Sequence, residues 1–250
     1  VIDGVAFDEG VDIAASPVAD ALRRKAAVTT SRPTPAKFLA AYSAAAAEGV
    51  SDIVSVHLSA DMSGTYDSAV IAARESPIPV RVLDTRSVGM AMGFGILDGA
   101  TAAAAGADVD AVAAAIMDRV STSSALFYVD TLDYLRRGGR VSAAQAALGQ
   151  ALAVKPILEL VDGRVVPCER VRTSAKALAR LTDLAVERAA GRPCDVAVQH
   201  LDAAERAQSL AELLAARLVN AHIMVSEVGA VVGAHVGPGM VAVGISPRPA

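Results

Sequence analysis

The chain has no tryptophan, four phenylalanines, four tyrosines and two cysteines. The cysteines, Cys168 and Cys194, form neither a CxxC nor a Cys/His ligand spacing, so the sequence offers no disulfide framework and no zinc site. A reducing cytoplasmic setting is expected. Basic residues are not in excess either: 23 Lys and Arg stand against 27 Asp and Glu, a formal net charge of -4. That balance leaves no electrostatic footprint for nucleic acid or an anionic membrane surface. A run of membrane-spanning character is also lacking. The longest apolar stretch, 88–107, is interrupted by Asp98 and crowded with Gly and Ala, so it reads as a helix of a soluble protein without stable membrane insertion. No charged segment followed by an apolar one opens the chain. The phosphate-binding GxxxxGK[ST], the nucleophile elbow GxSxG and a clean GxGxxG after a strand are all missing.

What is present is a chain of 250 residues, 53% hydrophobic, ample for a buried core in one large or two modest domains. In the first half, apolar runs at 53–57 and 80–84 alternate with helical patterns at 64–74 and 87–105. This alternation predicts βαβ units and a parallel sheet. A helix over 35–48 begins after Thr30-Ser31-Arg32-Pro33-Thr34-Pro35 and ends at Gly49. From about residue 121 the pattern becomes α+β. Strands are expected at 126–129, 155–160, 164–170, 195–200, 223–228 and 241–245, with helices at 174–190 and 203–216 and an Asp162-Gly163 hairpin turn. The reading is α/β overall, with an N-terminal domain over 1–120 and a C-terminal domain over 121–250. Residues 1–4 read as a strand met in mid-domain, so an earlier piece is expected to be missing.

Two hydroxyl-rich loops lead into helices: Thr30 to Pro35, and Leu58 to Tyr66 after the strand at 53–57. Beyond the strand ends of a parallel sheet, such loops offer an anion free N–H groups and hydroxyls such as those of Thr30 and Ser63. Helix capping alone explains the same composition, and both readings stay open. His235 lies in the Gly-rich run Gly233 to Gly239, either at a cleft or in water. His57, His200 and His222 read as structural. The four histidines are too scattered to nominate a triad around Ser63, so no catalytic residue is assigned. Arg136, Arg137 and Arg140 bracket the Gly138-Gly139 corner, suited either to an anion or, as preferred here, to a solvated face.

These segments together resemble the DegV family (FakB-like fatty acid-binding proteins). The resemblance runs in order through Thr30-Ser31 with Pro33-Thr34, Met62-Ser63-Gly64-Thr65-Tyr66, Asp84, Asp130-Thr131-Leu132 with Tyr134-Leu135, Arg137-Gly138-Gly139-Arg140, Lys155-Pro156-Ile157-Leu158, Arg170-Val171-Arg172-Thr173 and His235-Val236-Gly237-Pro238-Gly239. It implies an N-terminal parallel-sheet domain, a C-terminal domain on a six-stranded sheet, and a long-chain fatty acid between them. It further implies that Thr30, Ser63 and His235 bind the carboxylate, with Ser31, Gly64, Thr65 and Arg170 or Arg172 near the head group, Arg170 preferred. A partner fatty acid kinase would phosphorylate the presented acid to an acyl phosphate for phospholipid synthesis. The family's opening strand, ending in T-D-S-T, has no counterpart in this sequence.

A carrier of this kind needs no metal or other cofactor beyond its ligand. The acid is ionised at neutral pH, since carboxyl groups titrate at about 4. About fourteen buried methylenes contribute ~11 kcal/mol gross, before association costs. Met90, Met92, Gly93 and Phe94 either leave room for the acyl chain or pack as ordinary core. The alternatives are a stand-alone lipid reservoir or sensor, and a Ser63-dependent acyl hydrolase or transferase with His235 as base.

Overall fold

The computed structural model describes residues 1–141 and 155–248. The smaller of its two named sheets pairs β1 (Ile53–His57) in parallel with β2 (Val80–Asp84), from Ile53 opposite Val80 to His57 opposite Asp84. Alternation along a strand gives β1 two faces. Val54 and Val56, with Leu83, pack against Val112, Ile116 and Val120 of α5 (Val109–Thr122), a stripe at helical spacing. Ser55 and His57 belong to the other face, where Ser55 bonds both the Tyr42 hydroxyl of α2 (Pro35–Ala47) at 2.8 Å and His57 Nε2 at 2.7 Å. Phe38 meets the imidazole edge-on at 5.2 Å, and burial pushes the His57 pKa down despite the nearby Asp84 carboxylate. A helix α3 (Thr65–Ala73) lies beside α2, while α4 (Met90–Ala104) closes on α5 at Gly95, where a β-carbon would meet the Ile116 carbonyl at 2.7 Å.

The larger sheet has the order β5–β4–β3–β8–β6–β7, with β3 (Ser124–Tyr128), β4 (Lys155–Val161), β5 (Arg164–Val171), β6 (Cys194–His200), β7 (Ala221–Glu227) and β8 (Val241–Pro247). Its pairs are antiparallel except β6 with β7. One face, with Leu126, Tyr128, Val196 and Val243, is covered by Leu181 of α7 (Ser174–Ala189) and Leu210 of α8 (Ala204–Arg217). On the opposite face Phe127, Val129 and Leu158 belong to a second cluster with Leu135 of α6 (Asp133–Arg137) and Ala15 and Ala19 of α1 (Ala15–Arg23). Val18 and Leu22 fix α1 to Ala230 of α9 (Ala230–Val236), so the segment before α2 packs with the larger sheet's helices.

The eight strands fall within two residues of their expected ends, and the parallel sheet and the six-stranded sheet are both present. Residues 1–4 differ from expectation. They form no strand: Ile2 makes single bridges to Val5 and Val28 around a turn in which Asp3 and Gly4 have φ of 47° and 85°. Among the described residues, the helices α1, α5 and α9 were not anticipated. The first turn of α5 is capped by the Asp108 carboxylate at 2.8 Å from Ala111 N, a signal diluted in sequence by surrounding alanines. Gly- and Val-rich α9 has poor intrinsic propensity and owes its form to packing on α1.

Candidate functional site

A cavity of about 1000 Å3 lies between the second face of the larger sheet and the loops beyond β1 and β2. Phe127, Leu135, Leu160, Val165 and Met240 line it from the larger sheet and its connections. The loops contribute Thr30, Ser31, Ser63, Gly64 and Thr65, and α9 contributes His235. Residues 170 positions apart in sequence and more thus meet on one wall.

Each polar group is held by identifiable contacts. Asp84, at the end of β2, accepts a hydrogen bond from Ala60 N at 3.1 Å, and Ser63 N donates to Ser59 O at 3.1 Å, which shapes the loop after β1. Ser63 Oγ then lies 2.7 Å from Thr65 Oγ1 and accepts a long bond from Thr65 N at 3.3 Å. Thr30 Oγ1 lies 2.8 Å from His235 Nε2. The imidazole rests against Gly138, and its buried Nδ1 has no hydrogen-bond partner among the described residues. Burial, with the Arg140 charge adding to it, pushes the His235 pKa down to about 4, so the ring is neutral at pH 7. Because the unfolded chain takes up this proton near 6.5 and the folded one only near 4, burying the ring favours the fold less as pH falls through that window.

At the Arg-Gly-Gly-Arg corner Arg136 and Arg137 are exposed, as the solvated reading expected, whereas Arg140 is half-buried. Arg140 lines the cavity, donates from Nε to Met62 O at 2.9 Å and also bonds Gly138 O. One guanidinium therefore ties the Ser63 loop to the corner that supports His235. Gly237 and Gly239, with φ of 79° and 87°, close the other side; a β-carbon at Gly237 would collide with the Tyr134 ring.

Other expected site residues are placed elsewhere. Arg170 and Arg172 are exposed at and just beyond the end of β5, and neither lines the cavity. The arginines on the wall are Arg32, whose guanidinium lies over Gly64, and Arg140. Of the four α4 positions, Met92 lines the cavity, while Met90, Gly93 and Phe94 do not. Helical geometry explains the split: Val88, Ala91 and Met92 share the cavity side, Phe94 is buried on another, and Gly93 faces the Met90 sulfur. Lys37, Gln199 and residues 6–9 also line the wall, and nothing in their local sequence marks them. Ser63 is bonded to Thr65, and it is Thr30 that meets the imidazole. Among the described residues no three His, Cys, Asp or Glu side chains gather as metal ligands, and no helix is long and apolar enough to cross a membrane.

A family model described as "Uncharacterised protein, DegV family" matches residues 1–248. The chain belongs to the DegV family. A DegV domain-containing protein from Streptomyces coelicolor is 53% identical over 249 residues, 99% of this chain and 89% of that protein. Among solved structures, a DegV family protein from Thermus thermophilus, described by its fatty acid binding, is 32% identical with a TM-score of 0.91, over 99% of this chain and 89% of that one. DegV from Bacillus subtilis, described as a fatty acid binding protein, is 30% identical with a TM-score of 0.88 and the same two coverages. The DegV resemblance carried by the sequence segments, and the fold it implied, are thereby established for this chain.

Proposed function

We propose that the cavity holds a long-chain fatty acid, with hydrocarbon against Phe127, Leu135, Leu160 and Met240 and carboxylate at Thr30, Ser63 and His235. The observation that carries this reading is the meeting of an apolar wall with uncharged hydroxyls from two separate loops in one cavity. Its volume sits at the upper end of the roughly 300–1000 Å3 usual for small-molecule sites. The fatty acid binding of the Thermus and Bacillus relatives supports the same reading. Tail burial supplies affinity, and the head group needs orientation only.

Neutral His235 fits that task. With the proton on Nε2 it donates to Thr30 Oγ1, and the Thr30 hydroxyl proton is then free for a carboxylate oxygen. Ser63, accepting from Thr65 N, can donate in the same way. We further propose that a partner fatty acid kinase reaches the presented acid. A carboxylate oxygen would attack the terminal phosphorus of a nucleoside triphosphate brought by the partner, releasing the diphosphate and leaving an acyl phosphate in the site. Arg170 and Arg172, away from the cavity, belong in this scheme to the surface the partner meets.

The direct test is denaturing mass spectrometry of the purified protein. A monocarboxylic acyl chain near one per protein is the expected result, and a nucleotide or sugar phosphate in its place refutes the reading. A pH dependence follows from His235. A carboxylate brought beside Thr30 raises the imidazole pKa from about 4, so binding takes up a proton. Palmitate is therefore expected to bind more tightly at pH 5.5 than at pH 8, and His235→Gln should abolish the difference. Equal dissociation constants at the two pH values in the parent protein would remove His235 from the head-group site.

A further inference from the structure

We infer that residues 6–12 form a strap over the cavity and that its opening admits and releases the acyl chain. The inference rests on the fatty acid reading above. Ala6, Phe7, Asp8, Glu9 and Val11 all line the cavity, yet residues 6–8 have no regular structure, and residues 9–12 are a single bridge and turn. The amides of Ala6 and Phe7 find no hydrogen-bond acceptor among the described residues. Every residue from 6 to 12 is exposed on its outer side, Phe7 to 39% and Val11 to 83%. Such a segment buries little apolar surface and has few backbone bonds to break, the features of the low-stability end of a fold.

Both ends of the strap are firmly attached. Before it, Asp3 N bonds Ala27 O at 2.9 Å, Ala27 N bonds Asp3 Oδ1 at 2.9 Å, and Thr29 N bonds Val1 O at 3.0 Å. After it, α1 is locked into the cluster with α9. Gly4 precedes the cavity-lining stretch and Gly10 lies within it, with φ of 85° and 77°, a conformation that suits a pivot. In between, two contacts beyond the strap itself close it. Lys37 Nζ of α2 lies 2.7 Å from Asp8 Oδ2, with both side chains about 60% exposed (61% and 62%). Val231 N, at the start of α9, donates to Glu9 Oε1 at 3.0 Å. The strap thus joins α2, on the smaller sheet's side, to α9, on the larger sheet's side, through groups open to water, where an ion pair is screened and weak.

A competing exit is held differently. At the β4–β5 turn, buried Gly163 O accepts from buried Ser59 Oγ at 2.7 Å, and Arg164 meets Asp61 at 3.0 Å. Opening there would strand a buried hydroxyl and carbonyl, which costs more than releasing groups already in water.

The test is the release rate of radiolabelled palmitate from the loaded protein. Lys37→Met is expected to speed release about threefold, and Lys37→Met with Glu9→Ala about tenfold. Since a gate acts on entry and exit alike, the association rate should rise together with the release rate. Arg86, after β2, bonds the Asp162 carbonyl of the β4–β5 turn, and Arg86→Met with Arg164→Met should leave release unchanged. Hydrogen exchange should show residues 6–12 and Val231 exchanging far ahead of β8 in every variant. Unchanged release in both strap variants overturns the inference while leaving the fatty acid reading intact, as does faster release from the Arg86 and Arg164 pair alone. A parent protein that retains no palmitate overturns the fatty acid reading itself, and the gate with it.

Discussion

Thr30→Val combined with Ser63→Ala is expected to strip the protein of retained fatty acid without unfolding it. On the proposed reading each hydroxyl donates a hydrogen bond to an ionised carboxylate, and such bonds contribute about 1.5–3 kcal/mol each. Losing both costs about 3 kcal/mol or more, at least on the order of a hundredfold in Kd. On that reading the tail holds the carboxylate in place, so the loss of two of its three proposed uncharged partners, leaving His235, is felt in full. Both side chains are only half-buried, so the fold should tolerate the change. Titration of the delipidated variant with palmitate measures the effect, and a melting temperature near the parent's separates it from misfolding. Retention equal to the parent's would mean that the head group sits elsewhere in the cavity.

Asp195→Asn is expected to cost about 3 kcal/mol of stability, the lower part of the range for breaking a buried ion pair. Arg119, on α5, has a side chain only 3% exposed, and it reaches across to the larger sheet to bond Asp195 of β6 and Ser246 O of β8, the latter at 3.2 Å. Arg248 braces the same carboxylate at 2.7 Å. Removing the negative charge leaves the Arg119 guanidinium buried with, among the described residues, only Asp98, 3.7 Å away, as a counterion. Burial by itself would raise the Asp195 pKa, but the hydrogen bonds and charges of Arg248 and Arg119 outweigh it and hold the carboxyl below its ordinary value. Its contribution is therefore complete above the unfolded-state value near 3.8 and is lost as pH falls through the lower folded-state one. Urea unfolding at pH 7 should show a lower midpoint in the variant, and the gap between parent and variant should narrow in acid. An unchanged midpoint would show that the contact joining α5 to the sheet carries no stability.

The elements most legible in sequence are those whose pattern is local. The strands at 53–57 and 80–84 announce themselves by apolar runs, and the β4–β5 hairpin by its Asp162-Gly163 turn. The hydroxyl loops at Thr30 and Ser63 were visible for the same reason, each standing just before a helix. Arg140 was harder. Its side chain reads as solvated until the Met62 carbonyl, 78 positions away, is brought to it. The α4 positions divided for a similar reason, because composition picks out a flexible stretch but only the helix's docking on α5 decides that Met92 faces the cavity and Phe94 does not.

Sequence by itself determined that this is a two-sheet α/β chain of the DegV family, since hydrophobic periodicity, turn residues and short motifs are properties of neighbouring positions. Tertiary structure alone decided which cationic groups stand at the cavity, that His235 is neutral against Thr30, and that residues 6–9 line one wall. Those facts depend on desolvation and on distances between segments more than two hundred residues apart (205 for Thr30 and His235), which no local pattern records.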